Sequence, residues 1–261
     1  MVKNMENKKS LLIAKEIKIT SDIKILIPTV GQVLEDEKSY YDIVRQITAS
    51  PYSMMVQLDD VGIDFTKIDD FDLFNLYSRI IFSSDLSLIF GNTFSKLYNI
   101  LSDENISNEE KEKSLILVKK KENNETCLYD IPDDILIDRY IYEKIANALR
   151  SINLFEKDNR TAANEASKDY FIKKNRRYQL RHKNDEYKPF LENLVVALVN
   201  KQEFKYNYEE TMKLSIYNFN RSVKQIKHTV SFDKVMSGVY AGTVDTSKLT
   251  DKSILSFIET K

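Results

Sequence analysis

The feature that most constrains the fold is a set of apolar residues spaced by four and three positions near the C-terminal end. These residues are Met212, Ile216, Phe219, Val223, Ile226 and Val230. Such spacing places all of them on one side of an α-helix. Asn207 and Glu210, just before the stripe, match the capping box that begins a helix. The pattern therefore predicts one continuous helix through residues 208–230, with its apolar side facing a core.

Two neighbouring segments are also informative. Residues 190–199 are apolar on almost every side of a helix, which predicts a helix that is buried all round. Residues 238–243 contain Gly238 and Gly242, which predict a turn in which glycine supplies a positive φ. Together these segments predict a packed helical core in the C-terminal part of the chain.

Residues that break secondary structure are scarce. The chain of 261 residues has 5 glycines and 4 prolines, which favours long helices over a β-sandwich with many turns. Alternating apolar residues at 15–19 and 23–27 predict one β-hairpin, and those at 115–118 and 126–129 predict a second around a turn at 122–125. The expected fold class is α+β, mainly α-helical with two short β-hairpins in the N-terminal half.

Several helices are predicted in the N-terminal part of the chain, and two of them have a predicted start and a predicted apolar stripe. Asp69 or Asp70 is expected to cap the first. The apolar stripe of this helix is expected to contain Leu73, Leu76, Tyr77 and Ile80. Pro132, followed by two acidic residues, predicts the start of the second helix. The stripe of the second helix is expected to contain Ile141, Ile145, Ala148 and Ile152.

The polar segment 157–167 is the best candidate for a boundary between regions. It separates residues 1–156, expected to form a mixed α/β region, from residues 168–261, expected to form a helical region. The hydrophobic fraction of 42% is sufficient for a real core.

Charge and cysteine content exclude several classes of protein. The 39 basic and 40 acidic residues leave a net charge of −1, which argues against a globally basic nucleic-acid-binding protein. The single cysteine, Cys127, cannot form an intramolecular disulfide and is expected in a strand of an intracellular protein. No segment approaches the roughly 18 apolar residues of a membrane span. We expect a soluble, unsecreted protein with no membrane partner.

Residues that could carry chemistry form no recognised catalytic pattern. The chain has no P-loop, no G-x-G-x-x-G and no G-x-S-x-G sequence. The acidic residues at 59–72 suit turns and helix caps, because they lack the spacing of a calcium-binding loop. His182 and His228 are the only histidines, and His228 is expected near the end of a helix. The sequence predicts no enzyme activity, no metal and no cofactor.

A basic segment precedes the predicted C-terminal core. Lys173, Arg177 and Arg181 recur every four residues, so they share one side of a helix, and Tyr178 is interleaved with them. Three interpretations stay open: a helix that tracks phosphates, a solvated helix face, and a surface that binds an acidic partner. Nucleic acid is the less favoured of these, since the chain as a whole is neutral.

Five segments, spread over most of the chain, carry a resemblance to a known group. They are 28–31 (PTVG), 54–65 (MMVQLDDVGIDF), 203–206 (EFKY), 217–226 (YNFNRSVKQI) and 238–245 (GVYAGTVD). These segments resemble phage and prophage proteins of low-GC Gram-positive hosts that are encoded among tail morphogenesis genes. Many of those proteins look like tail assembly chaperones. The resemblance implies a helical, non-enzymatic protein of the host cytoplasm that binds tape measure or tail-tube protein.

A reversible contact of this kind requires an apolar groove with a charged rim. The groove is expected at Tyr217, Phe219 and Val223. The rim is expected at Lys173, Arg177 and Arg181. The alternative function is a structural protein of the virion tail, neck or baseplate. The third is nucleic-acid binding by residues 168–188, and self-association also stays open.

Overall fold

The computed structural model describes residues 10–120 and 125–259. Within these ranges the chain forms twelve α-helices and five short β-strands, so the predicted α+β, mainly helical class is confirmed. The strands are β1 (Glu16–Lys18), β2 (Lys24–Leu26), β3 (Leu115–Lys119), β4 (Thr126–Asp130) and β5 (Ile135–Ile137). The helices are α1 (Val30–Glu35), α2 (Glu37–Ile47), α3 (Met55–Asp60), α4 (Asp70–Phe82), α5 (Ser87–Phe90), α6 (Ser95–Ser102), α7 (Asn108–Ser114), α8 (Arg139–Asn153), α9 (Glu165–Arg181), α10 (Leu191–Val199), α11 (Tyr208–Lys213) and α12 (Ile216–Tyr240). Two 3-10 helices follow, Thr246–Lys248 and Lys252–Leu255.

The strands form two small antiparallel sheets in the N-terminal half. β1 pairs with β2, and β3, β4 and β5 form the second sheet in that order. Both predicted hairpins are therefore confirmed, although most of the turn predicted at 122–125 lies outside the described residues. β5 replaces the helix start that the sequence predicts at Pro132, and that prediction is wrong.

The segment after β4 extends as a strand for a physical reason. Asp134 adopts a left-handed conformation, with φ of 55°, between β4 and β5. Ile135 and Ile137 are buried and Leu136 between them is partly exposed, which is the alternation of a strand. This conformation lets both isoleucine side chains pack in the main core while the backbone of β5 pairs with β4.

α8 instead begins at Arg139. The carboxylate of Asp138 caps it by accepting a hydrogen bond of 2.7 Å from the backbone N–H of Ile141. The predicted stripe of this helix is confirmed: Ile145, Ala148 and Ile152 are buried and Ile141 is partly buried.

One large hydrophobic core contains residues from both of the regions that the sequence suggests. Its members include Ile25, Val44, Leu149, Leu191 and Phe219. A second, smaller cluster joins α3, α4 and α9 through Met55, Leu73 and Ile172. The division at residues 157–167 stays a prediction.

The predicted C-terminal helix is interrupted at Leu214 and Ser215. The capping box of Asn207 and Glu210 is present, but it begins the short helix α11. The side chain of Ser215 then begins α12 by accepting a hydrogen bond from the backbone N–H of Asn218. The prediction of one continuous helix is therefore wrong.

The interruption is paired with the segment that leads into α1. The backbone N–H of Val30 donates to the carbonyl of Leu214, and the N–H of Ile216 donates to the carbonyl of Pro28, each at 2.8 Å. These bonds form an isolated antiparallel β-bridge. Buried backbone groups outside helices need partners, and the two segments supply them to each other.

The bridge brings α1 close to α11, and a glycine at position 31 makes room. A Cβ atom built on Gly31 would lie 3.2 Å from the carbonyl oxygen of Met212 and 3.5 Å from its Cβ. The first distance is tighter than ordinary van der Waals contact. A side chain at this position would therefore push the two helices apart.

Burial on the C-terminal helices is more one-sided than the sequence suggests. Ile216, Phe219 and Val223 of α12 are buried, whereas Ile226 and Val230 are partly exposed. α10 buries one side, through Leu191, Val195 and Leu198. The prediction that this helix is buried all round is wrong, because Phe190 and Val196 are exposed.

The cap of α4 is confirmed, but its stripe is partly wrong. Asp69 forms a capping box with Asp72 at the start of the helix. Leu73 is buried, whereas Leu76 and Ile80 are 51% and 56% exposed. Larger residues on the other side of α4, including two phenylalanines, enter the core instead.

The N-terminus of α10 is capped from a distant part of the chain. The carboxylate of Glu37, at the start of α2, accepts hydrogen bonds from the backbone N–H groups of Phe190 at 2.9 Å and Leu191 at 3.2 Å. The Tyr187 hydroxyl donates to it at 2.8 Å. Burial raises the pKa of Tyr187 to about 12, and this hydrogen bond adds to the rise. The charge suits the positive end of the helix, so Glu37 ties α10 to α2.

We expect Glu37→Gln to destabilise the protein. The amide keeps only one oxygen that can accept a hydrogen bond, and its NH₂ group faces buried donors. Losing a hydrogen bond to a charged group costs about 1.5–3 kcal/mol of the free energy of unfolding. Urea unfolding measures the change. Glu35→Gln removes an exposed carboxylate nearby and should shift stability by no more than about 0.5 kcal/mol. Equal unfolding midpoints for the two variants would show that the cap is not stabilising.

Candidate partner-binding surface

The three predicted groove residues lie in the first half of α12. Phe219 is completely buried and Val223 is 8% exposed, while Tyr217 is partly buried against the main core. Phe204 contacts the Phe219 ring at a centroid distance of 6.4 Å. In this arrangement Phe219 and Val223 offer no surface to a partner. Their role in binding stays a prediction.

The basic segment forms α9, whose inner side is ion-paired with α3 and the following turn. Arg176 contacts Asp59 at 2.7 Å and Asp60 at 2.5 Å. Lys168 contacts Asp64 at 3.1 Å. Hydrogen bonds from Thr66, with a smaller contribution from Lys168, lower the pKa of Asp64 to about 2. Three of the six aspartates at 59–72, namely Asp59, Asp60 and Asp64, therefore bind α9.

The predicted rim residues point the other way. Lys173, Arg177 and Arg181 are all exposed on α9. Among the described residues, no acidic side chain forms an ion pair with any of them. The structure does not combine these cations with the predicted groove, because α9 belongs to the smaller cluster and Phe219 belongs to the main core.

Two of the remaining acidic residues, Asp69 and Asp70, line a cleft of about 300 Å³ between α4 and α8. Arg139 forms ion pairs with Asp69 and, at 3.9 Å, with Asp72. Arg150 and Lys157 contact Asp70 at 3.5 and 3.3 Å. These charges are thus matched within the cleft. Across residues 10–120 and 125–259, no group of three or more His, Cys, Asp and Glu side chains could hold a metal ion.

The histidines and the cysteine make local contacts. His182 contacts the Asp185 carboxylate at 2.7 Å. His228 contacts the carbonyl of Ser256 at 2.6 Å, and it lies in the middle of α12, so its predicted place near a helix end is wrong. Cys127 lies in a strand, β4, as predicted, but it is fully buried instead of half-buried as its residue type and the strand pattern suggest, and burial raises the pKa of its thiol.

The sequence prediction omits a set of exposed side chains in residues 190–208, beside and within α10, in the loop after it and at the start of α11. It consists of four exposed apolar or aromatic side chains, which we call the aromatic face: Phe190, Val196, Tyr206 and Tyr208. Buried residues of the same segments adjoin it: Leu191, Val195, Leu198 and Phe204. Sequence reasoning had no signal for it, because residues 190–199 are apolar on almost every side of a helix and do not tell which side the core covers.

The chain after α12 folds back along that helix. Gly242, with φ of 71°, ends the helix, as the sequence predicts. Gly238 is helical, so its predicted positive φ is wrong; a Cβ there would lie 2.6 Å from the Val244 side chain. Further along, Gln225 binds the backbone of Phe257 and Glu259. The returning segment therefore covers part of α12.

Asp130, at the end of β4, is an unusual buried acid. It is 1% exposed, its Oδ1 accepts a hydrogen bond of 3.2 Å from the backbone N–H of Asp133, and its Oδ2 has no hydrogen-bond partner. Burial, together with the nearby Asp133 charge, raises the pKa of Asp130 to about 7. Such a carboxyl affects the pH dependence of folding.

Residues 181–259 match the family model described as the YomV second domain, a name associated with phages. The match begins at the last residue of α9 and includes α10, α11 and α12. It covers less than a third of the chain and is consistent with a phage-related protein. No curated protein and no solved structure matches the chain. In the part of the chain that the structure describes, no helix has the length and hydropathy needed to cross a bilayer.

We expect Asp130→Asn to gain stability relative to the native protein as the pH rises from 5 to 8. The folded-state pKa of about 7 lies above the ordinary value of 3.8. The protonated carboxyl therefore stabilises the fold fully below pH 3.8, and this contribution is lost as pH rises through 7, by up to about 1.4 kcal/mol per pH unit. Thermal unfolding at both pH values measures the difference.

Asp103→Asn is the control for this experiment. Asp103 is exposed, and hydrogen bonds from Asn105 lower its pKa. Its effect on stability should be the same at pH 5 and pH 8, because Asp103 is ionised at both. A constant difference between Asp130→Asn and the native protein over this range would contradict the raised pKa.

Proposed function

We propose that this chain is a non-enzymatic phage tail assembly factor that binds tape measure or tail-tube protein. Two observations support the proposal: the phage-associated family match over residues 181–259 and the resemblance of five segments to tail morphogenesis proteins. The observation that carries it is the aromatic face, which lies within the matched segment. An assembly factor acts through such a surface, without chemistry.

The composition of the aromatic face suits a protein partner. Interfaces are enriched in tyrosine and phenylalanine and depleted of charge at their centre. Tyr206 and Tyr208 each expose nearly half of their side chains, as do Phe190 and Val196. Each presents apolar area that a partner could bury, and the tyrosines add hydroxyl groups for hydrogen bonds.

The aromatic face is also held in place before a partner arrives. Glu37 fixes the start of α10, and the capping box of Asn207 and Glu210 fixes the start of α11. The Tyr208 hydroxyl accepts a hydrogen bond of 3.3 Å from Asn200, which links the end of α10 to α11. Fixed side chains lose less conformational entropy on binding, so this support favours affinity.

The absence of an enzyme activity is part of the proposal. In the cleft between α4 and α8, Asp69 and Asp70 form ion pairs with Arg139, Arg150 and Lys157. Asp130 has a raised pKa but is 1% exposed, inside the sheet. Within the described residues these features offer no activated nucleophile beside a general base.

Quantitative mass spectrometry of purified phage particles tests the assembly role. We expect the protein to be abundant in the infected lysate and missing from particles, when it is compared with the tail-tube protein. A fixed copy number per particle would contradict the proposal and favour a structural protein of the tail, neck or baseplate.

A pull-down of the tape measure and tail-tube proteins tests the aromatic face. We expect Val196→Glu to lower capture at least ten-fold, because a charge at the centre of an apolar contact is desolvated without a partner. Leu76→Glu is the matched control, since Leu76 is as exposed as Val196 but lies on α4. Equal capture by both variants would show that the aromatic face does not bind these proteins.

A further inference from the structure

The outer side of α9 carries a regular stripe of aromatic and basic residues. Tyr170, Lys174, Arg177 and Arg181 are spaced by four, three and four positions, so they lie along one line of the helix. Lys173 and Tyr178 flank this line. We call the six residues the outer face of α9. All six are exposed, and Ile172, on the opposite side, is the one residue of this helix that is buried.

The positive charge of the outer face is not matched within the described part of the chain. The nearby acids are engaged elsewhere: Asp59 and Asp60 contact Arg176, and Glu165 contacts Lys168 at 2.5 Å. Asp169 is the acidic residue that flanks the outer face on the helix itself. Four cations against one carboxylate make this face locally positive, although the chain as a whole has a net charge of −1.

The two tyrosines distinguish the outer face from an ordinary solvated helix. Tyr170 and Tyr178 are 60% and 62% exposed. The Tyr178 ring contacts the His182 ring at a centroid distance of 4.3 Å, which limits its orientations. Exposed aromatic rings between cations are the arrangement that binds unpaired bases and the phosphates that connect them.

We propose that the outer face of α9 binds single-stranded nucleic acid. The cations contact successive phosphates, and bases stack on Tyr170 and Tyr178. From position 170 to position 181 the helix extends about 16 Å, which is enough for a few nucleotides. A single strand fits better than a duplex, because duplex bases are already stacked on one another. This inference does not depend on the proposed assembly role, which uses a different surface.

Charge segregation explains why the sequence favours the opposite conclusion. A neutral chain argues against non-specific binding to nucleic acid only if its charges are mixed over the surface. Here the acids of residues 59–64 neutralise the inner cations, Lys168 and Arg176. The outer cations therefore keep their full effect on a polyanion.

Fluorescence anisotropy of a labelled 20-nucleotide single strand of mixed sequence tests the proposal with the full chain. At 50 mM salt we expect binding, and at least ten-fold weaker binding by Lys174→Glu/Arg177→Glu. The control is Lys227→Glu/Lys234→Glu, which makes the same charge change at two exposed lysines of α12. The control should bind within two-fold of the native protein. Thermal unfolding confirms that both double variants are folded.

Two further measurements separate nucleic acid from other polyanions. With about four phosphates contacted, the logarithm of affinity should fall with the logarithm of salt concentration with a slope near −3. Tyr170→Ala/Tyr178→Ala should weaken binding about ten-fold, because it removes the stacking. Both results would support a site that reads bases as well as charge.

Several outcomes would overturn the inference. The first is no binding of the single strand at 50 mM salt. The second is competition by poly-glutamate as strong as that by the unlabelled strand, which would identify an acidic protein segment as the ligand. The third is equal affinity for a duplex together with no effect of the tyrosine substitutions. The fourth is equal loss of binding in the α12 control.

Discussion

The β-bridge between the segments before α1 and α12 determines how the two ends of the sequence pack. Its two hydrogen bonds join Pro28 and Val30 to Ile216 and Leu214. The bridge uses the backbone groups that the interrupted helix leaves free, so the interruption costs little. Because α12 starts at this point, its first buried residues pack against α8 and the rest of the main core. Gly31 keeps the contact close enough for the bonds to form.

A different kind of interaction holds α9. This helix of 17 residues buries one of them, Ile172, in the smaller apolar cluster, and ion pairs between partly exposed side chains add to that contact. Pairs between exposed side chains contribute little to stability and weaken in salt. The caps at Glu37, which is buried, and at Asp138, which is partly buried, are instead shielded from solvent. The protein therefore has a strongly connected body and a weakly attached basic helix, and this helix carries the outer face.

Local patterns predict elements of this fold well and their packing less well. The capping box at Asn207, a cap at Asp69 or Asp70 and both hairpins follow from nearby residues, so the sequence predicts them. The interruption at Ser215 depends on partners at the other end of the chain, and β5 depends on pairing with β4. No local pattern contains that information. The sequence also places Lys173, Arg177 and Arg181 on one helix side correctly.

Site prediction is limited by the same physics. Apolar spacing identifies a stripe but does not tell which residues the core covers. Phe219 and Val223 are therefore candidates by sequence yet buried in the structure, while Val196 and Tyr208 are exposed. The opposite charges at 59–64 and on α9 are visible in the sequence, but their pairing needs the fold. For this reason the balanced total charge of the chain does not reveal that the outer face of α9 is positive.

The burial of α12 has a mechanical consequence. Its three buried residues lie within its first eight positions, so the core holds this helix mainly at its N-terminal end. The sixteen residues or so beyond Val223 span about 25 Å. A rotation of about 10° at the N-terminal end of α12 would move Tyr240 by roughly 4 Å. The segment after α12 would move with the helix, because Gln225 and His228 bind its backbone. A small repacking around Ser215 would therefore displace the far end of the helix by a larger distance.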